Sequence, residues 1–261
     1  MIEKFVLGFV AELGMDPLER EWAVANLLKT WLRDHLPQSF VGRVEYHLEP
    51  ERLDSWGGPF NGQCFRQLIF LDLVRACRFD AIVETGTFRG STTLFLCRNS
   101  NGAVVHSSEI NRRFFEFARR RLRTLPNLHL YNLDSRAFLP SLRLPREARI
   151  FFYLDAHWRN DLPLVDEIEF IICNFDTFAI MIDDFEVPGD AGYAFDDYGV
   201  GKCLSLRDFP FHKDNRICTY FPARPASQES GIRRGCVVLI SPNFKDPIDS
   251  LSCLCRPDSS S

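Results

Sequence analysis

The chain has 261 residues, a net charge of −4 and 46% hydrophobic residues, which is enough apolar material to bury a sizeable core. The mild acidity argues against a broad phosphate-binding surface, so nucleic acid is not an expected partner. No uninterrupted apolar run is long enough to cross a bilayer, and the apolar residues 5–11 lack the basic segment of a signal peptide. Nine scattered cysteines without zinc-site spacing are expected to be reduced thiols. We therefore expect a cytoplasmic protein with no membrane contact.

The N-terminal part is predicted to be helical. Asp16 can cap a helix with Pro17 in its first turn, and apolar residues recur at helical spacing across residues 18–32. With the apolar stretch 2–13 this predicts a helical cap, followed by a glycine- and proline-rich linker over residues 49–63. Residues 1–62 are therefore expected to form a cap and linker. The cap is a candidate lid or homodimer contact.

From residue 65 onward, helical patterns alternate with short apolar strands. Strands are predicted at residues 81–83, 103–107, 128–131, 150–154 and 178–182, and helices at 65–78, from about 91, at 111–123, near 137–142 and at 162–173. This alternation predicts a parallel sheet with helices on both faces. Two later strands, 217–221 and 235–240, predict a closing antiparallel hairpin.

The expected fold class is therefore α/β. It is a Rossmann-like, doubly wound, mostly parallel sheet with a C-terminal antiparallel hairpin and an N-terminal helical cap. The catalytic domain is expected over residues 63–245, with a C-terminal tail over 246–261.

The first predicted strand is followed by a glycine-containing loop. Its sequence is Glu84-Thr85-Gly86-Thr87-Phe88-Arg89-Gly90-Ser91. The two glycines allow a sharp turn and a close backbone approach to a ligand. Ligands of doubly wound sheets bind outside the carboxyl ends of the strands, where this loop lies. The third glycine of the dinucleotide fingerprint is missing, which weakens a nicotinamide interpretation.

The second predicted strand ends before Glu109-Ile110-Asn111. A carboxylate at this tip is placed to accept hydrogen bonds from two ribose hydroxyls. Alternatively, Glu109 simply favours the N-terminus of the next helix. Together with the preceding loop, it favours a nucleoside-binding site.

These segments resemble the cofactor site of the catechol O-methyltransferase group, within the class I S-adenosylmethionine-dependent methyltransferases. The resemblance rests on Glu84-x-Gly86-x-Phe88-x-Gly90 followed by Glu109-Ile110-Asn111, and on Asp134-Ser135-Arg136, which resembles that group's adenine-side loop. It covers about residues 81–193. It implies S-adenosylmethionine as cofactor, with Gly86 and Gly90 near its methionine part, Glu109 at the ribose, and Ser135 or Asp134 at the adenine. The implied cofactor contacts are Glu84, Gly86, Phe88, Gly90, Ser91, Glu109, Asp134, Ser135 and Asp155.

The fourth and fifth predicted strands each end before acidic residues. Asp155 follows the fourth strand, and Asp183 and Asp184 follow the fifth. Adjacent parallel strands bring these ends together, and three carboxylates repel one another unless a cation neutralises them. Because Mg²⁺ prefers oxygen ligands, these three residues are the predicted magnesium ligands. Each of them alone could instead cap a turn or accept backbone donors.

The residues at these two strand ends resemble two different groups of methyltransferases. Asp155, His157 and Trp158 resemble a segment of the catechol-type enzymes, whereas the double aspartate resembles the macrocin O-methyltransferase group, which modifies sugars on natural products. Where catechol-type enzymes have a lysine after the tryptophan, this chain has Arg159, which stays charged and cannot act as a base. His157 titrates near neutrality and is the predicted catalytic base. Alternatively, it packs beside Trp158 or binds the adenine.

Residues 187–198 are predicted to form a loop over the acceptor pocket. The sequence thus predicts Mg²⁺-dependent O-methylation of a hydroxyl on a small molecule: a natural product, a sugar or a phenol. The alternatives are a cephalosporin-hydroxylase-like or non-catalytic relative with the same fold, and a nicotinamide-dependent oxidoreductase. A fold alone does not distinguish them.

Overall fold

The computed structural model describes residues 16–157, 162–211 and 214–257. These residues form one eight-stranded sheet with the strand order β3-β2-β1-β4-β5-β7-β6-β8. The strands are β1 (Ala81–Thr85), β2 (Val104–Ser108), β3 (Leu128–Tyr131), β4 (Arg149–Leu154), β5 (Thr177–Asp183), β6 (Cys218–Pro222), β7 (Cys236–Ile240) and β8 (Leu254–Cys255). The helices are α1 (Pro17–His35), α2 (Gln38–Leu48), α3 (Cys64–Cys77), α4 (Ser91–Arg98), α5 (Arg112–Arg121), α6 (Ser135–Ser141), α7 (Leu164–Asn174) and α8 (Lys245–Asp249).

The strand directions confirm the predicted fold class. Strands β1 to β5 pair in parallel, as expected when a helix follows each strand. Strand β7 then pairs antiparallel with β5, and β6 lies antiparallel beside β7. The predicted closing hairpin is therefore present, with β7 inserted between β5 and β6.

The central strands are apolar because both of their faces are covered. Along β4, Phe152 and Leu154 belong to one core, packed under α6 and α7. Phe151 and Tyr153 belong to the other core, packed under α3, α4 and α8. This alternation follows from the period of two in a strand, and it places a helical layer on each face of the sheet.

The N-terminal helices are fastened to α5. Asp16 caps α1 as predicted, since its carboxylate accepts a hydrogen bond from the backbone of Glu19 at 2.9 Å. Helix α2 was not predicted as a separate element. It packs so closely on α5 that a Cβ on Gly42 would lie 2.0 Å from the carbonyl oxygen of Arg113. Glu45 accepts from Arg113 at 2.6 Å and from Arg33 of α1 at 2.9 Å, which joins the three helices.

The linker and the C-terminal residues are more regular than expected. Residues 50–62 form two 3-10 segments, in which Trp56, Phe60 and Asn61 have positive φ. Within the predicted tail, α8 is followed by β8, which pairs with β6 at the sheet edge. The predicted helix at residues 2–13 lies outside the described residues. Among the described helices, none has the length and apolar character needed to cross a membrane.

Candidate functional site

The carboxyl ends of the parallel strands bring most of the predicted site residues to one edge of the sheet. The loop after β1 crosses the tip of β2, because the backbone N–H groups of Gly86 and Thr87 both donate to the carbonyl of Ser108, at 3.0 and 2.9 Å. On the other side, the backbone N–H of Asp155 donates to the carbonyl of Thr85 at 3.0 Å. The loop after β1 therefore lies between the ends of β2 and β4.

Both predicted loop glycines are required by close packing. Gly86 has a φ of 91°, and a Cβ there would lie 2.3 Å from the carbonyl oxygen of Asp155. Gly90 has a φ of 78°, and its Cβ would lie 2.8 Å from the side chain of Leu122. Neither the backbone conformation nor the space admits a larger residue without a shift. The glycines therefore fix the shape of the loop.

Glu109 is buried at the tip of β2 and held by two backbone donors. Its carboxylate accepts from the N–H of Phe88 and from the N–H of Asn111, each at 2.7 Å. Burial raises the pKa of Glu109, and these two hydrogen bonds oppose the rise. The cap of α5 is Asn111, which accepts from the backbone of Arg113 at 3.0 Å. Since a carboxylate offers about four acceptor positions, Glu109 keeps about two for a ligand.

Phe88 takes part in this arrangement through its backbone. Its φ is 49°, which is uncommon for a residue with a side chain. The centroid of its ring lies 4.5 Å from that of Phe114, and the central carbon of the Arg89 guanidinium lies 4.5 Å from the centroid of the Phe88 ring. This packing stabilises the turn that aims the Phe88 N–H at Glu109.

Glu84 is a fully buried carboxylate that is only half satisfied. Its Oε2 accepts from the hydroxyl of Thr93 at 2.5 Å and from the hydroxyl of Ser107. Its Oε1 has no hydrogen-bond partner among the described residues. Burial raises the pKa of Glu84 to about 7, against the effect of the two hydroxyls. A cationic group with N–H donors would satisfy the free oxygen.

Three predicted cofactor contacts, Ser91 and the adenine-side candidates Asp134 and Ser135, differ in their availability. Asp134 caps α6 by accepting from the backbone of Arg136 at 2.9 Å. The hydroxyl of Ser91 donates to the carbonyl of Leu53 at 2.9 Å and accepts from Arg121 at 3.0 Å, so it is engaged with the linker and α5. In contrast, the Oγ of Ser135 is buried next to the carboxylate of Glu167, whose pKa it lowers.

A further buried carboxylate lies on α7 and was not predicted as a site residue. Burial raises the pKa of Glu167 to about 6. The hydroxyls of Ser135 and Thr85 lie beside this carboxylate and oppose the rise in its pKa. Glu167, Ser135 and Thr85 are therefore partners of one another in the core, where polar groups are normally bonded.

Asp155, His157 and Asp184 lie together at the carboxyl ends of β4 and β5. Each offers one atom that could bind a metal, and these three atoms lie within 4.8 Å of one another. The Nε2 of His157 lies 3.7 Å from the Oδ2 of Asp184 and 3.9 Å from the Oδ2 of Asp196. Burial alone would lower the pKa of His157, but these carboxylates and Asp155 outweigh it and raise the pKa. Burial raises the pKa of Asp155 to about 7, although His157 opposes the rise.

Asp183 does not join this group, which corrects the predicted ligand set. Its buried carboxylate forms an ion pair with Arg66 and accepts from the hydroxyl of Tyr153 at 2.8 Å, from Asn61 at 3.3 Å and from the backbone of Asp184 at 2.9 Å. Successive residues of a strand face opposite sides, so a doublet at a strand end is divided between the core and the site. Asp184 reaches the site with a positive φ of 56°.

Arg234 supplies a positive charge at the same place. Its Nε donates to the Oδ1 of Asp184 at 2.6 Å, and its Nη2 pairs with Asp196. Although burial opposes it, the partners His157 and Arg234 lower the pKa of Asp184 to about 2. The spacing of the three-residue group admits an ion, but its donors are two carboxylates and an imidazole, and one carboxylate is already engaged by a guanidinium. This donor set does not fit a resident Mg²⁺, which requires near-octahedral oxygen ligation.

The sequence did not indicate Arg66, Glu167 or Arg234, and Asp196 was expected only as part of the loop over residues 187–198. A signal existed for Arg234, because the start of an antiparallel β7 must lie beside the end of β5. The register pairs Cys236 with Asp183 and so places Arg234 at the site. No local pattern indicated Arg66 or Glu167, which lie within amphipathic helices. Trp158 and Arg159 lie outside the described residues.

The comparisons with known proteins identify the fold. No protein-family model matches the chain, and neither does any curated protein. Among solved structures, the chain is similar to a putative O-methyltransferase from Klebsiella pneumoniae, with 17% identity over 82% of this chain and 96% of that one and a TM-score of 0.53. It is similar to the O-methyltransferase TomG from Streptomyces achromogenes, involved in tomaymycin synthesis and solved with S-adenosylmethionine, with 16% identity, coverage of 82% and 95%, and a TM-score of 0.53.

A third similar structure is an O-methyltransferase from Bacillus cereus in complex with S-adenosylhomocysteine, with 16% identity, coverage of 82% and 97%, and a TM-score of 0.53. The chain therefore has the fold of the class I S-adenosylmethionine-dependent methyltransferases, as the sequence resemblance implied.

The Arg66–Asp183 pair leads to a prediction about stability. Arg66→Met should lower the free energy of unfolding by about 3–5 kcal/mol, because it leaves a buried carboxylate without its cation. The double variant Arg66→Met/Asp183→Asn should recover most of that loss, since neither charge then remains. Urea denaturation of the two single variants and the double variant measures the coupling. Additive losses would contradict the assignment.

Proposed function

We propose that this protein is an S-adenosylmethionine-dependent methyltransferase that acts on a hydroxyl group of a small molecule. The observation that carries the proposal is Glu109, a buried carboxylate held at the tip of β2 by two backbone donors with acceptor positions to spare. In this fold, that position faces the ribose of a bound nucleoside. The class I methyltransferase fold supports the same cofactor.

The unsatisfied polar atoms near Glu109 match the chemistry of the cofactor. S-adenosylmethionine carries an ammonium group, two ribose hydroxyls and an adenine. The free oxygen of Glu84 suits the ammonium, and Glu109 suits the hydroxyls. The sequence resemblance implies that Asp134 or Ser135 lies at the adenine. A nicotinamide dinucleotide has no ammonium group for Glu84, and the loop lacks its glycine pattern.

When bound, the cofactor would supply an electrophilic methyl group on sulfur. Glu84 and Glu109 would hold the cofactor, and His157 would take the proton of the acceptor hydroxyl as its oxygen attacked the methyl group that the cofactor would supply. The carboxylates of Asp184 and Asp196 lie 3.7 and 3.9 Å from His157 and stabilise the imidazolium that results. We therefore assign His157 as the base and Asp184 as the residue that positions it.

The covering of the site favours a small acceptor. The segment after β5 folds back over the edge of the sheet, since the backbone of Asp196 donates to the carbonyl of Asp184 at 2.9 Å. In the same segment, the backbone N–H of Ala194 donates to the carbonyl of Arg233, just before β7, at 2.9 Å. A covered site of this kind suits a natural product, a sugar or a phenol better than a macromolecular surface.

The cofactor assignment is tested at Glu109. We expect Glu109→Gln to weaken the binding of S-adenosylmethionine by about tenfold or more, because charge-assisted hydrogen bonds to the ribose are lost. Isothermal titration calorimetry measures the Kd. Glu147→Gln, at an exposed position before β4, is the matched control and should bind normally. An unchanged Kd in Glu109→Gln, or tighter binding of NAD than of S-adenosylmethionine, would contradict the proposal.

The pKa of Glu84, raised by burial to about 7, predicts a coupling between cofactor binding and protons. An ammonium group beside Glu84 lowers the pKa of that carboxyl, so binding near pH 6.5 should release protons, and affinity should rise as the pH rises through about 7. Calorimetry in buffers with different ionisation enthalpies counts the protons. Part of the release should disappear in Glu84→Gln; identical release in both proteins would exclude Glu84 as the partner.

The base assignment is tested with His157→Gln. We expect the rate of methyl transfer to fall by about a hundredfold while the Kd for the cofactor stays unchanged, since general bases typically contribute that much. The measurement follows labelled methyl groups into a panel of phenols, catechols and sugars. His47→Gln, exposed on α2, is the control. An undiminished rate would remove His157 as the base; cofactor binding without transfer to any acceptor would favour a non-catalytic relative.

A further inference from the structure

The acceptor half of the site is crowded with negative charge. The carboxylates of Asp155, Asp184 and Asp196 surround the buried imidazole of His157. Carboxylates this close repel one another, so the arrangement requires positive charge. The source of that charge decides whether the site needs a metal ion.

The chain itself provides this charge. The guanidinium of Arg234 reaches Asp184 through Nε and Asp196 through Nη2, so one planar cation bridges the two carboxylates. Its side chain is only 21% exposed. A guanidinium is permanently charged and its fork of donors matches carboxylate oxygens, which makes it suited to hold two of them at once.

The backbone of Arg234 is fixed as firmly as its side chain. Its N–H donates to the amide oxygen of Gln63, and its carbonyl accepts from the amide nitrogen of Gln63, both at 2.9 Å. The same carbonyl also accepts from Arg66. These bonds fix the backbone of Arg234 just before β7 and so keep its guanidinium beside Asp184 and Asp196.

A divalent ion would compete with this arginine for the same ligands. It would need Asp184, whose Oδ1 already accepts from Arg234, and it would stand beside a like charge. Asp183 cannot replace that ligand, because its oxygens accept from Arg66, Tyr153, Asn61 and the backbone of Asp184. The remaining donors are the carboxylate of Asp155 and the imidazole of His157, so the ion would hold one free carboxylate and a nitrogen ligand that Mg²⁺ does not favour.

We propose that Arg234 takes the place of a divalent cation at this site, so that the acceptor half is neutralised by the protein and holds no metal ion. Arg234 is then a positioning residue: it keeps Asp184 in its left-handed backbone conformation and against His157. The statement about metal binding does not depend on methyl transfer. The statement about positioning rests on the proposed function.

The experiment measures metal binding directly, with Mn²⁺ as a probe because it shares the preference of Mg²⁺ for carboxylate oxygen. Electron paramagnetic resonance follows the loss of the free Mn²⁺ signal on adding protein. The wild type should show no site with a Kd below about 1 mM, whereas Arg234→Gln should bind at least about tenfold more tightly, because the competing charge is removed. Arg233→Gln, its exposed neighbour, should behave as the wild type.

Three results would overturn the proposal. One is micromolar binding of Mn²⁺ to the wild type that is lost in Asp184→Asn. Another is an Arg234→Gln variant that folds, as judged by circular dichroism, yet gains no Mn²⁺ affinity. The third, where methyl transfer is detected, is abolition of wild-type turnover by a chelator with recovery on adding Mg²⁺.

Arg234→Lys, which keeps the charge, should gain no Mn²⁺ site and guards against a variant that fails to fold. If no transfer is found with any acceptor, the proposed function fails while the Mn²⁺ measurement still decides the metal question.

Discussion

The buried ion pair between Arg66 and Asp183 is the interaction on which the rest of the site depends. Arg66 lies on α3 and is 1% exposed, and its guanidinium joins the end of β5 to the carbonyls of Arg234 and Gly235 before β7. Burying a guanidinium is costly unless it is paired, and Arg66 is paired through its two Nη atoms while its Nε makes no hydrogen bond among the described residues. The pair therefore holds two antiparallel strands in one relative position, and the position of Arg234 follows from it.

The edge formed by the carboxyl ends of the parallel strands has two halves, which are stabilised by different interactions. The half that contains Glu84 and Glu109 is built by backbone: the loop after β1 directs the N–H of Phe88 at Glu109, and Gly86 allows the close approach to Asp155 at the end of β4. The half that contains His157 and Asp184 is stabilised by charge, because Arg66 pairs with Asp183 and Arg234 pairs with Asp184. The fold brings the halves together because the ends of parallel strands share one edge. The residues at that edge, rather than the fold, determine the chemistry of the site.

Periodicity was sufficient to predict strands β1 to β7 and their order, because apolar runs of the right length and spacing are local features, but the two-residue strand β8 was missed. It also located the carboxyl ends of the strands, and with them Glu84, Glu109 and Asp155. Helix α2 was missed since its apolar residues continue the pattern of α1 across the proline at position 37. The ion pairs could not be predicted, because Arg66 lies 117 residues from Asp183 and Arg234 lies 50 residues from Asp184. Local patterns also cannot show that, of the two adjacent aspartates, Asp183 faces the core and Asp184 faces the site.

The left-handed backbone of Asp184 has a consequence for how this position tolerates change. A side chain in that region costs roughly 1 kcal/mol or more relative to glycine, which adopts it freely. Glycine would therefore relax the turn after β5, yet it would leave Arg234 and His157 without the carboxylate between them. Stability and charge balance make opposite demands at this one residue. Sequence variants selected only for thermal tolerance would drift toward glycine here, whereas those selected for an ordered acceptor half would retain the aspartate.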